Sequence, residues 1–152
     1  MGMSALASVA LSAYVLPLIL AALTDMSSLR IPNPVVLALA ASYPLAAFAL
    51  GHAGDILWHA IAGGAVFAAG AALFASRTLG GGDVKLLAAA ALWIGPGGVP
   101  IFLSLTAVLG GVFALFVLAK IRLRGSAQAP IPYGVPIMLA GLAMAPALFL
   151  TA

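Results

Sequence analysis

The run SALASVALSAYVLPLILAALT, residues 4–24, holds no charged side chain and is closed by Asp25. A helix needs about 20 apolar residues to cross the hydrocarbon core of a bilayer, so this stretch predicts a transmembrane α-helix. Five further apolar stretches follow between Gly, Pro and charged residues: Val35 to Leu50, Ile56 to Ala75, Val84 to Ile94, Val99 to Ala119 and Val135 to Thr151. None alternates as a lipid-facing barrel strand would, and an open strand leaves its backbone unsatisfied in lipid, so all are expected to be helices. The predicted fold is all-α: a polytopic membrane helical bundle of about six transmembrane helices, forming a single domain over residues 1–152.

Composition agrees. With 65% hydrophobic residues and 6% charged, too little polar surface exists to cover a soluble domain. The first run lacks a basic n-region and a cleavage site, which reads as a retained helix. Cysteine is absent, which excludes disulfides, thiolate zinc sites and a cysteine nucleophile. A net charge of +3, tied to loops, gives no signature of nucleic-acid binding.

The basic residues sort by loop. Arg30 lies in the first, Arg77 in the third with Lys85 at its edge, and Lys120, Arg122 and Arg124 in the fifth. The positive-inside rule therefore places the odd loops in the cytoplasm and both termini on the non-cytoplasmic side. Trp58 and Trp93 then fall where an outer aromatic belt would put them. The stretch from Val84 to Ile94 is too short to span alone at about 1.5 Å per residue. Either Gly80 to Asp83 sits below headgroup level in a protein-lined cavity, or the helix runs past Gly95-Pro96 with a kink.

Only three acidic residues occur, and two of them, Asp25 and Asp83, fall on the same predicted cytoplasmic face. Charge at the mouth of a membrane helix is costly and marks a functional candidate. Each also has a plain structural reading: Asp25 as an interfacial helix-end residue, Asp83 as the N-cap of the fourth helix after glycines with positive φ. At a helix C-terminus, however, Asp25 opposes the macrodipole. Three glycines, Gly80, Gly81 and Gly82, exceed what a cap needs, and they permit close backbone approach to a carboxylate. Lys85 reads as a snorkelling interfacial residue or as a cation serving a nearby carboxylate. Asn33 and Pro34 read as N-cap and first residue of the second helix. Pro132, Tyr133 and Gly134 read as a rigid turn leading into the last helix. On the opposite side His52, Asp55 and His59 offer ligand types, but Asp55 is read as a helix cap, and no metal is assigned.

Taken in order, Asp25, then Ile31-Pro32-Asn33, then Gly80-x-Gly82-Asp83-x-Lys85, then Pro132-Tyr133-Gly134 resembles the motif series of type IV prepilin peptidases, the GxGD class of membrane aspartic peptidases. The chain is similar to the short Flp/Tad-type form. It lacks the cysteine-bearing zinc region associated with N-methylation in larger members, so the resemblance implies peptidase activity with no cofactor and no metal. It implies Asp25 and Asp83 as catalytic. Gly80, Gly81, Gly82, Lys85, Pro32, Asn33, Pro132, Tyr133 and Gly134 are implied to shape the site or bind substrate. The implied partner, besides the lipid bilayer, is a prepilin or pilin-like membrane protein with a short basic leader. The implied location is the bacterial cytoplasmic (inner) membrane, with the active site on its cytoplasmic side. Val135-Pro136 departs from the Pro-Phe-Gly-Pro form of larger members.

Two carboxylates brought close share a proton, so one can activate water while the other hydrogen-bonds the scissile carbonyl. Two other readings stand beside this one. A small transporter or channel subunit would use the aspartates as ion or proton sites. A non-catalytic pilus-assembly membrane protein would use them only at helix ends.

Overall fold

The computed structural model describes residues 5–124 and 132–149, and in these it is all-helical. Five α-helices follow in chain order: α1 (Ala5–Ser28), α2 (Asn33–Ala49), α3 (Ile56–Ala75), α4 (Gly81–Arg124) and α5 (Gly134–Phe149), with one 3-10 turn at Ala53–Asp55. Of the described helical segments, the stretches Ala5–Ser28, Ala53–Ala75 and Gly81–Arg122 are long and apolar enough to cross a membrane. α2 and α5 are shorter apolar helices.

The expected fourth and fifth segments are joined as the two limbs of α4. The loop anticipated at Gly95 to Gly98 is instead a single non-helical residue, Gly95, at φ 75° and ψ 172°, with helix resuming at once through Pro96. The chain reverses there. Gly82, at the start of the first limb, abuts Ile31, whereas Trp93 near its end lies against Phe149. The second limb begins with Gly98 beside Met144 and reaches Gly110 beside Tyr133, so it runs back along α5 toward the end from which α4 started. A left-handed φ costs a residue with a Cβ about 1–2 kcal/mol, and a Cβ at Gly95 would also lie 2.5 Å from His59 Cε1. Glycine is required on both counts.

α1 packs against α2 and α5, and α4 packs against α3, α5 and α2, whereas α2 and α3 share no extended packing. The centre is built on Tyr14, Leu18, Leu39, Leu86, Phe102 and Ile137, all fully buried. Two polar tips in this apolar core are satisfied by backbone: Tyr14 Oη donates to the Gly141 carbonyl (3.0 Å), and Trp93 Nε1 to the Leu39 carbonyl (2.7 Å). Their rings also meet, with centroids 5.3 Å apart. Trp93 is therefore a core residue at 4% exposure and not a member of an aromatic belt, while Trp58 is exposed.

Helix starts differ from the expectations in an instructive way. Pro32, not Asn33, holds the N-cap position of α2, and it makes no side-chain cap bond. Asp55 does hold the N-cap position of α3, as expected, but its side chain makes no cap bond and lies 3.7 Å from His52 Nδ1. Asp83 is the third residue of α4 rather than its cap. Gly80, Gly81 and Gly82 do not have positive φ. Asn33 is drawn to Lys85 from another part of the chain and Asp55 stays at the surface, whereas Asp83 reaches back to the Gly80 backbone at the start of its own helix.

Candidate active site

α1 outruns its apolar stretch by four residues, to Ser28, so Asp25 lies inside its last turn rather than beyond its end. The Leu29 N–H bonds back to the Asp25 carbonyl at 2.9 Å, and Leu29 then takes a left-handed φ of 55° that stops the helix. The carboxylate is turned inward, at 6% exposure. Its opposition to the α1 dipole is answered by another helix: the Gly134 N–H, first in α5, donates to Asp25 Oδ2 at 2.7 Å. The start of a helix carries unsatisfied N–H groups and partial positive charge, which suits a carboxylate. A Cβ on Gly134 would lie 3.0 Å from both Asp25 Cβ and Oδ2, so glycine lets the two helix ends approach this closely.

Asp83 is placed by the glycine run. A Cβ at Gly80 would fall 2.6 Å from Asp83 Oδ2, inside any real contact distance. Gly82 faces Ile31 and Gly81 faces Phe74, each at a spacing a methyl group would crowd. Three consecutive glycines thus serve close approach, one of the roles the sequence suggested, and not positive φ. Asp25, Asp83, Gly80, Gly81 and Gly82 line one cavity of about 290 Å³, together with Leu29, Arg30 and Ile31. The structure therefore brings the two aspartates to one space, 58 positions apart in sequence.

Lys85 and Asn33 stand just outside it. Lys85 Nζ donates to Asn33 Oδ1 at 3.0 Å, linking the Ile-Pro-Asn segment to the glycine–aspartate segment. This bond is what occupies the side chain expected to cap α2. Pro32 precedes that helix in extended conformation, with φ −65° and ψ 134°. Of the third motif, Gly134 touches Asp25 directly, Tyr133 packs its ring over Gly110 of the second α4 limb, and Pro132 leads into them. Pro130 and Ile131, expected to belong to the same turn, lie outside the described residues.

Sequence reasoning missed Leu29 and Ile31 as cavity walls and the backbone N–H of Gly134 as the partner of Asp25. Ile31 was in view as part of a motif, but only its fit against Gly82 gives it a role. At the opposite end His59 stacks on Tyr43, with centroids 4.9 Å apart, and its Nδ1 lies 2.9 Å from the Leu92 carbonyl beside the reversal. His52 and Asp55 remain at the surface.

Residues 12–115 match the sequence pattern of the type IV leader peptidase family, a span that includes Asp25, Asp83 and more than half of the chain. The chain belongs to the type IV leader peptidase family. Membership makes it a peptidase by kinship and agrees with helices fit for a membrane. No curated protein and no solved structure matches it. The leader peptidase match ends before Pro132-Tyr133-Gly134, so the placement of that turn against Asp25 is a contribution of the fold alone.

Proposed function

We propose that this leader peptidase relative is a membrane aspartic endopeptidase that removes the leader from pilin-like precursors at the cytoplasmic face, with Asp25 and Asp83 as its catalytic pair. The observation that carries the reading is the shared cavity of the two aspartates at the ends of α1 and α4. Arg30 on its rim and Arg77 near Gly80 support a cytoplasmic placement by the positive-inside rule.

In this reading one carboxylate is ionised and takes a proton from a water held in the cavity. The resulting hydroxide attacks the scissile carbonyl carbon, while the protonated partner hydrogen-bonds the carbonyl oxygen and stabilises the charge that develops there. Collapse of the tetrahedral intermediate breaks the C–N bond, the amine leaves with a proton from the dyad, and the new carboxyl group retains the oxygen from water. Protons and oxygen balance without a cofactor. The cavity lined by Gly80, Gly81 and Gly82 beside Asp83 would receive the extended peptide backbone, and the Gly134 N–H holds Asp25 in place.

The test is processing of a co-expressed pilin-type precursor by wild type, Asp25→Asn and Asp83→Asn. An amide oxygen can still accept from Gly134, so Asp25→Asn should fold and insert yet lose cleavage by about 10³-fold or more, as loss of one member of a catalytic unit does. Full processing by either inserted variant would falsify the dyad.

A further inference from the structure

Three cavities with shared walls lead away from the aspartates along one face of α4. The first, which holds Asp25 and Asp83, has Gly81 in its wall. Gly81 also borders a second, of about 240 Å³, alongside Phe67 and Lys85. Phe67 and Lys85 border a third and larger one, of about 560 Å³, lying between α2 and α3 with α4 as its floor. This last space exists because α2 and α3 each rest on α4 without packing on one another.

Its walls are apolar and small where a helix would need to come close. Ala40 of α2, Ala60 and Gly64 of α3, and Ala88 of α4 contribute little bulk, and a Cβ at Gly64 would meet nothing within 4 Å. Small side chains let membrane helices pack backbone to backbone. At the end nearer the aspartates the lining changes character, because Asn33 and Lys85 stand there. The Lys85 ammonium reaches only the neutral Asn33 amide oxygen, and among the described residues no carboxylate pairs with it. An apolar groove headed by a cation lacking a counter-ion complements a helix whose exposed body is apolar and whose head carries an acid.

We infer that this groove seats the membrane helix of the precursor, entering sideways from the bilayer, and that Lys85 pairs with an acidic side chain at the cytoplasmic head of that helix. The inference rests on the peptidase reading above and extends it to how the substrate is held. Lys85 is two residues from Asp83, about 3 Å along a helix, so the acid belongs within about two turns of the cleaved bond. The preceding extended segment then runs through the middle cavity to the aspartates.

The probe is a single-span precursor with a basic leader, a glycine before the cleavage point and an acid near the head of its apolar helix, reconstituted with the full chain in liposomes. In an Asp25→Asn background, which halts chemistry, a photoreactive benzoylphenylalanine replacing Leu37 should form adducts with the precursor helix, and one replacing Val112 should not. Adducts only from Val112, or none from either, would overturn the groove. With the aspartates intact, Gly64→Leu should slow cleavage by about tenfold or more by displacing the helix. Gly111→Leu, whose added side chain also meets open space on the second limb of α4, should not slow it. Wild-type cleavage by Gly64→Leu would also sink the inference, and would favour lipid as the occupant. Lys85→Gln should slow the acid-bearing precursor by about tenfold and add nothing once that acid is an amide. Equal slowing of both precursors would remove the ion pair. Because adducts form without cleavage, failure of the dyad leaves the docking result readable, and failure of docking leaves the Asp→Asn comparison intact.

Discussion

Replacing Gly134 by alanine should disable the site without unfolding the protein, and the structure sets the scale of the effect. The added methyl would start 3.0 Å from Asp25 Cβ and 3.0 Å from Oδ2. Comfortable carbon contacts lie at about 3.5–4.0 Å, so the two helix ends must separate by roughly 0.5–1 Å. The Gly134 N–H to Asp25 Oδ2 bond, now 2.7 Å, would stretch to the edge of hydrogen-bond geometry. A bond to a charged group contributes about 1.5–3 kcal/mol, and part of this would be lost. Displacing a reacting carboxylate by about 1 Å costs on the order of 10²-fold in rate. The expected outcome is a fall in kcat of about 30- to 100-fold with KM little changed, since the precursor helix binds elsewhere. Initial rates of precursor cleavage in liposomes measure this, and thermal melting in detergent verifies that α5 remains docked. Gly54→Ala is the matched control, because a Cβ there meets nothing within 4 Å. If Gly134→Ala cleaves within about twofold of wild type, the idea that α5 positions Asp25 for catalysis is wrong.

Two further substitutions test the scaffold. Gly95→Ala combines a left-handed φ with a methyl placed against the His59 ring, and should lower stability by about 2 kcal/mol or more, read as a lower melting temperature in detergent; an unchanged melt would mean the reversal does not depend on glycine. Trp93→Phe removes the N–H donated to the Leu39 carbonyl while keeping an aromatic ring in the core, and should cost about 1 kcal/mol in the same measurement, with cleavage retained.

Hydropathy and breakers were enough to find the helices, and for α3 they gave both ends, Ile56 and Ala75, because turn residues flank an uninterrupted apolar run. Where a polar residue could act locally or at long range, local rules misled. Asn33 has the chemistry of an N-cap, but Lys85 lies 52 positions away in sequence and claims its oxygen. Asp83 likewise looks like a cap, yet α4 begins at Gly81 and the carboxylate lines a cavity. The glycine run was legible as special without revealing why: the reason is crowding by Asp83, Ile31 and Phe74, two of which come from other elements. Trp93 could not be told from a belt tryptophan, because its acceptor belongs to α2. The two aspartates were conspicuous from scarcity alone, whereas the partner of Asp25 is a backbone group, which no side-chain pattern records.

That partner has a bearing on when the enzyme can act. Asp25 belongs to α1 and Gly134 to α5, 109 positions later, with Asp83 between them. During synthesis the α1 carboxylate therefore waits, without its backbone donor, until α5 has inserted and docked. With Asp25 in the proposed catalytic pair, a nascent chain would gain a positioned carboxylate only once α5 is in place, so cleavage activity would report the docking of α5. Truncation before α5 should thus abolish proteolysis even though both aspartates remain.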